Sequence, residues 1–351
     1  MKLVPLAVFV STALTSMSAA AVSTVNLSDY RLIGRYALPE PTRVTAPANN
    51  LLAQEASGVT WNRDTNTLFV VGDGGKAVTQ VGLQGQFIDT MTLGLNPGNP
   101  QGVAFHDPEG IAYVGGGKFV LVEERFRVAN QFTYTAGTTL AYSGAQHVDL
   151  GTNIGNIGLE GITYDPLTGG FILVKEQSPI GIFQTTMNFA AGTASNGSPT
   201  TVNSINLFNP ALTGLSDIAE VFAFSNLAGI GASEQANLLL LSQEMGRIIE
   251  VDRAGNILSS LNIAQLPSSP LGTTVLTGPG GPLSVADQQH EGMTMDDAGV
   301  LYIVNENGGG DINNPQLWVY APVPEPETYA LMAFGLGMLG AVARRRNRKA
   351  A

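Results

Sequence analysis

Leu159-Glu-Gly-Ile-Thr-Tyr-Asp-Pro-Leu-Thr-Gly-Gly-Phe-Ile-Leu-Val-Lys-Glu176 reads as two strands around a tight turn at Asp165 to Gly170, with an acid at each open end. The same pattern recurs at Pro108-Glu-Gly-Ile-Ala-Tyr113 with Phe119-Val-Leu-Val-Glu-Glu124, and at His290-Glu-Gly-Met-Thr-Met295 with Leu301-Tyr-Ile-Val-Asn-Glu306. Looser copies are Ser57-Gly-Val-Thr-Trp61 with Leu68-Phe-Val-Val-Gly-Asp73, and Asp217-Ile-Ala-Glu220 with Leu239-Leu-Leu-Ser-Gln-Glu244. Five hairpins thus organise the chain.

Taking Gly58, Gly110, Gly161, Ile218 and Gly292 as equivalent, the copies lie 52, 51, 57 and 74 residues apart. One blade of four antiparallel strands needs about 40 to 50 residues, so each interval holds one blade and its loops. Outer hairpins follow where a blade requires them: Val78–Leu83 with Phe87–Leu93, and Ile248–Asp252 with Ile257–Ile263. The reading is an all-β, five-bladed propeller over residues 22–322. The fifth copy has a third strand, Gln316–Tyr320, and no fourth, whereas Tyr30–Leu38 precedes the first copy as an orphan. That orphan is expected to complete the last blade and leave no long unpaired edge. The Gly-, Ser- and Pro-rich stretches Asn188–Gly214 and Gln265–Gln288 read as surface loops.

Composition agrees. Charged residues make up 13% of the 351, Gly numbers 42, and no cysteine is present. A thiol nucleophile, a thiolate ligand and a disulfide are therefore all excluded. Setting aside Lys2, the five basic residues after Ala343, and Glu325 and Glu327 leaves 11 basic and 26 acidic residues, a formal −15 on the body. Such a surface repels nucleic acid and suits cations.

Both ends carry sorting signals. Residues 1–21 combine Lys2, an apolar run from Leu3 to Leu14 and the small-residue end Ala19-Ala-Ala21, which reads as an export signal. After Pro322 come Pro324-Glu-Pro326, an apolar run from Tyr329 to Ala343 expected to form a transmembrane helix, and Arg344-Arg-Arg-Asn-Arg-Lys349. Residues 323–351 resemble the PEP-CTERM sorting tail of Gram-negative bacteria. The resemblance implies an exosortase-type sorting enzyme as partner, transient anchoring in the inner membrane, and release or transfer to the cell surface. Gly335-Leu-Gly-Met-Leu-Gly340 formally fits a dinucleotide fingerprint, but it lies inside the apolar run, where small residues are ordinary.

In a propeller the first strand of each blade starts, and the second ends, at the same mouth of the central channel. That geometry gathers Glu109, Glu160, Asp217 and Glu291 with Asp73, Glu124, Glu176, Glu244 and Glu306. Nine carboxylates cannot converge unless they are spread out, protonated or neutralised by a cation. Oxygen donors alone point to calcium rather than zinc or copper; the alternative is a solvated rim without metal.

The Glu-Gly-Ile-Ala-Tyr, Glu-Gly-Ile-Thr-Tyr and Glu-Gly-Met-Thr-Met openings, with their Val-Glu-Glu, Val-Lys-Glu and Val-Asn-Glu endings, resemble the SdiA-regulated, or YjiK-like, family. The resemblance implies a five-bladed propeller with a calcium site. Ser57 and Asp217-Ile-Ala depart from the pattern. Two function classes follow. One is a calcium-binding module or scaffold, with an exopolysaccharide or matrix partner engaged by aromatics such as Trp61, Tyr113, Tyr164 and Trp318, although inter-blade packing explains the first three more simply. The other is a calcium-dependent hydrolase of the lactonase or phytase-like kind, in which His290 or His106 would act as base. The sequence holds no Gly-x-Ser-x-Gly elbow and no His-Glu-x-x-His motif.

Overall fold

In a computed structural model, the described residues are 21–39, 53–99, 102–153, 155–196, 205–263, 289–306 and 315–323. Most of the expected export signal, the loop at 265–288, and the expected membrane segment at 329–343 lie outside them. Among the described residues no helix is long and apolar enough to cross a membrane.

The second strands show why the sequence folds as it does. Thr67–Gly72, Lys118–Glu123, Gly170–Lys175, Leu238–Ser242 and Leu301–Asn305 are apolar almost without alternation. A strand that buries only one face alternates, so an unbroken run requires cover on both. The structure supplies that cover by standing the sheets radially, each face against a neighbouring blade. The inner strands Ala56–Asn62, Pro108–Gly115, Leu159–Asp165, Glu220–Ala223 and His290–Met295 pack in succession, and the last touches the first, which closes a five-membered ring.

Five separate hydrophobic clusters fill the five seams. Phe69, Ile111 and Phe119 join blades 1 and 2; Ala112, Val120 and Ile162 join blades 2 and 3; Ile172, Val221 and Leu240 join blades 3 and 4. Phe222, Met293 and Trp318 join blades 4 and 5, and Val59, Val70 and Val304 join blade 5 back to blade 1. Each fully buried aliphatic or aromatic side chain contributes about 1.5–3 kcal/mol, so the seams hold the ring without disulfides.

Blades 1, 2 and 4 have four strands in consecutive contact, and blade 1 adds the short parallel strand Thr139–Leu140. Blade 5 is completed as expected, because Tyr30–Ala37 pairs antiparallel with Gln316–Pro322. Across that seam the Arg35 guanidinium lies 4.2 Å over the Trp318 ring. Blade 3 differs from the expectation of four strands in every blade. Its sheet has three strands, Leu159–Asp165, Gly170–Lys175 and Gly181–Thr185. At its edge the described residues give an isolated antiparallel bridge between Phe183 and Asn206, with Leu207 N donating to Ile182 O at 2.7 Å, and side-chain amides add to it: Asn206 Oδ1 accepts from Ile182 N at 2.9 Å, and Asn196 Nδ2 donates to Gln184 O at 3.1 Å. Within 188–214, described residues also form a 3-10 turn at Pro210–Thr213.

Candidate functional site: an acidic axial cup

The acids reach the axis because the inner strands begin with bulges. Pairing jumps from Ala56/Gly72 to Gly58/Val71, from Pro108/Glu123 to Gly110/Val122, and from His290/Asn305 to Gly292/Val304, leaving Ser57, Glu109 and Glu291 unpaired. A similar shift between Leu159 and Ile162 frees Glu160. An extra residue re-aims its side chain, and here it turns a carboxylate toward the channel. The following glycine lets the ring close. A Cβ on Gly110 would come 2.6 Å from the Glu160 carbonyl oxygen, and one on Gly292 would come 2.5 Å from that of Ser57. The Glu-Gly pair therefore couples an aimed acid to the closest approach of two blades.

The result is a cavity of about 310 Å³ lined by seven carboxylates: Asp73, Glu109, Glu124, Glu160, Glu176, Glu291 and Glu306. Asn156, Gln177, Gln243 and Gln289 add amide oxygens and nitrogens. Burial, then mutual repulsion, pushes Glu109, Glu160 and Glu291 well above the ordinary carboxylate range. The same causes raise Glu306 to about 8 and Asp73 to about 7. Glu124, raised chiefly by burial, also sits at about 7, and Glu176 is raised by burial too. Hydrogen bonds join Glu124 to Glu160, Glu291 to Glu306 and Glu55 to Asp73. Each such pair requires a proton between its members, or a cation in the proton's place.

Seven of the nine acids expected at the mouth thus line the cup; Asp217 and Glu244 do not. Asp217 is buried beneath the rim, accepting from the Ser242 hydroxyl and from Gln243 N at 2.7 Å and Glu244 N at 3.3 Å. Glu244 lies exposed on the turn that Asp217 holds. The register explains the difference. Glu220 pairs with Leu241 just as Gly110 pairs with Val122, so Ala219 and Gln243, not Asp217 and Glu244, occupy blade 4's places at the cup. The intervals around Ile218 were accordingly misplaced by two residues.

Besides Glu55, hydrogen-bonded to Asp73, two acids were missed from the sequence. Asp107 is one: single carboxylate oxygens of Asp73, Asp107 and Glu109 lie within 4.8 Å of one another, and Arg125 Nε holds Asp107 from outside. The other is Glu220, which takes the place of glycine. The absence of glycine from the fourth copy was the available signal for it.

Neither histidine lines the cup. His106 is buried, its ring centroid 5.0 Å from that of Phe126. His290 is also buried, edge-on to Trp318 at 4.5 Å, and burial with the nearby Arg35 charge pulls it down to about 3. Trp318 is fully buried and has no face to offer a ligand. Trp61, Tyr113 and Tyr164 gather instead at the opposite end of the channel.

Carboxylate and amide oxygens of this number suit a hard divalent cation, which takes six to eight oxygen ligands, better than zinc or copper. Fold and site together define a five-bladed propeller with an oxygen-lined axial cup. The chain belongs to the SdiA-regulated family, whose profile matches residues 40–308, and residues 322–348 match the PEP-CTERM protein-sorting motif. That motif implies recognition by an exosortase-type enzyme and indicates export with membrane-anchored sorting in Gram-negative bacteria. Solved structures that align with the chain include glutaminyl cyclase from Myxococcus xanthus, at 12% identity over 83% of this chain and 95% of that one, with a TM-score of 0.44. A Bacteroides thetaiotaomicron protein of unknown function aligns at 12% identity over 79% and 58%, with a TM-score of 0.41. Virginiamycin B lyase from Staphylococcus aureus aligns at 10% identity over 80% and 69%, with a TM-score of 0.36.

Proposed function

We propose that this protein is sorted to the cell surface and binds divalent cations, calcium foremost, in the axial cup, serving there as a binding or scaffold module. The observation that carries the reading is the convergence of seven buried or half-buried carboxylates in one 310 Å³ cavity, five of them hydrogen-bonded to another acid. Burying that many like charges is costly unless a cation replaces the shared protons. A matrix or exopolysaccharide partner would then meet the mouth, with bound calcium bridging it to the rim. Titration calorimetry with calcium tests the claim; absence of binding at about 1 mM, the weak end of extracellular calcium sites, would remove it.

A metal-dependent hydrolase, acting on a lactone or phosphate ester, is the second reading. Its support is that the cup sets Asp73 and Glu124 in one cavity of about 310 Å³ with further carboxylates and amides, so that an acid could take a proton beside a held ion. A bound divalent ion would supply Lewis acidity and an activated water. Neither His106 nor His290 lines the cup, so the proton-taking role falls to a carboxylate. Turnover of lactone and phosphate-ester panels, lost in Glu124→Gln, would favour the hydrolase over the module.

A further inference from the structure

Each inner strand turns its free edge toward the axis, where backbone N–H groups have no next strand to pair with. One layer below the cup, four blades place Gly58, Gly110, Gly161 and Gly292, and blade 4 places Glu220. The Glu220 side chain is buried and reaches both neighbouring blades. Its carboxylate accepts from Val221 N on its own strand at 2.8 Å, from Ile162 N on blade 3 and from Met293 N on blade 5. A side chain at Gly161 would collide with Glu220 Oε1, so the glycine opposite is what lets the carboxylate lie there. Beneath this layer the Thr60, Thr163 and Thr294 hydroxyls accept from Tyr113 N, Ala223 N and Trp61 N, at 3.1, 3.2 and 3.2 Å, and draw neighbouring blades together. The space remaining at that end is about 20 Å³, room for a single water, against about 310 Å³ in the cup.

We infer that Glu220 stoppers the axial channel, so that the cup is blind and whatever it holds enters and leaves through the mouth alone. The consequence for ligand exchange rests on the cation reading above; the sealing itself does not. A merely structural acid would affect stability, whereas a stopper also controls solvent access to three particular amides and the escape of a bound ion.

The test uses the purified full-length chain and Glu220→Gly, which restores the residue of the other four blades, with Glu220→Ser in reserve should the glycine variant not fold. Amide exchange by NMR should quicken at Ile162, Val221 and Met293 by about tenfold, the weight of a lost buried hydrogen bond. Exchange at Tyr113, Ala223 and Trp61 should hold. Terbium, loaded as a luminescent calcium substitute and released into chelator, should leave the variant several-fold faster. Unchanged exchange at the three amides overturns the stopper, and so does quickened exchange with terbium release at the wild-type rate. If the wild-type chain takes up no terbium or calcium, the cation reading falls, and the amides alone decide the role of Glu220.

Discussion

Glu124 on blade 2 and Glu160 on blade 3 are hydrogen-bonded to each other across the blade seam, inside the cup. Two ionised carboxylates cannot form that bond, so the metal-free protein holds a proton where the proposed cation would sit. Calcium binding must expel such protons and stabilise the native state by mass action. The melting temperature should therefore rise with calcium and fall back on chelation, with a stabilisation of about 2.7 kcal/mol when free calcium is 100 times Kd. Scanning calorimetry with calcium and with EGTA reads this out, and coincident melting curves would refute it.

The pH dependence of the metal-free protein follows from the direction of the shifts. Asp73, Glu124 and Glu306 are raised on folding, to about 7, 7 and 8, so between their unfolded values near 4 and those figures the native state binds more protons than the unfolded chain. Stability contributed by these groups is complete below about pH 4 and is lost as pH rises toward 8. Denaturant midpoints in chelator should accordingly fall from pH 5 to pH 8. Saturating calcium should flatten or reverse the slope, because bound acids are already ionised. A metal-free midpoint that climbs over this interval would contradict the shifts.

Single neutralisations should separate cup acids from their neighbours. Glu291→Gln removes a lining charge while keeping its shape, and should weaken calcium about tenfold or more, since affinity follows the count of charged ligands. The same change should raise metal-free stability only at high pH, where ionisation would set Glu291 against Glu306 and Glu160. Glu244→Gln, on the exposed turn, should leave affinity within about twofold, because a screened surface charge carries little energy. Equal losses in the two variants would mean that the cup is not the calcium site.

How far the sequence discloses this site depends on glycine. Where Glu-Gly is written out, at Glu109, Glu160 and Glu291, both the blade start and the acid's place are legible, because the bulge and the close approach require those two residue types. Blade 4 uses neither. Its inner strand starts at Glu220 with no glycine, and Asp217 offers an acid in nearly the right position, so the register slips by two residues. Asp107 escapes notice for another reason: it precedes the strand, and only the fold around Arg125 brings it to Asp73. That the described residues put a single bridge rather than a fourth strand on blade 3 is likewise invisible, since Asn196 and Asn206 act there largely through side-chain hydrogen bonds that no periodicity records.

The glycine argument can itself be tested. Gly110→Ala would place its Cβ 2.6 Å from the Glu160 carbonyl oxygen and 2.9 Å from a Val122 methyl. Both neighbours are fixed, one by the backbone and one by the seam between blades 2 and 3. Overpacking of this kind costs about 1–3 kcal/mol. Gly137→Ala is a control of similar chemistry at a surface turn with open space around it, where the cost comes from its φ of +67° alone. The first variant should also weaken calcium, because the shifted strand carries Glu109, while the second should not. Urea unfolding and calcium titration of the pair check both parts; equal affinities would separate the glycine ring from the cup.

Ring closure makes the strongest demand on stability. Tyr30–Ala37 contributes the outer strand of blade 5 from the other end of the chain, and Arg35 lies over Trp318 across the join. Trp318 is fully buried in the cluster between blades 4 and 5, so Trp318→Ala should cost about 3–5 kcal/mol through lost contacts and the cavity left behind. Arg35→Met keeps most of the packing and removes the cation over the ring, a loss of about 2 kcal/mol for a desolvated pair. Deleting residues 22–40 takes away the whole strand and exposes the edge of Gln316–Pro322, a template for intermolecular pairing. Aggregation or failure to fold is the expected outcome, read by light scattering and circular dichroism. A soluble truncation that melts cooperatively at the wild-type temperature would show that the ring does not need its terminal strand.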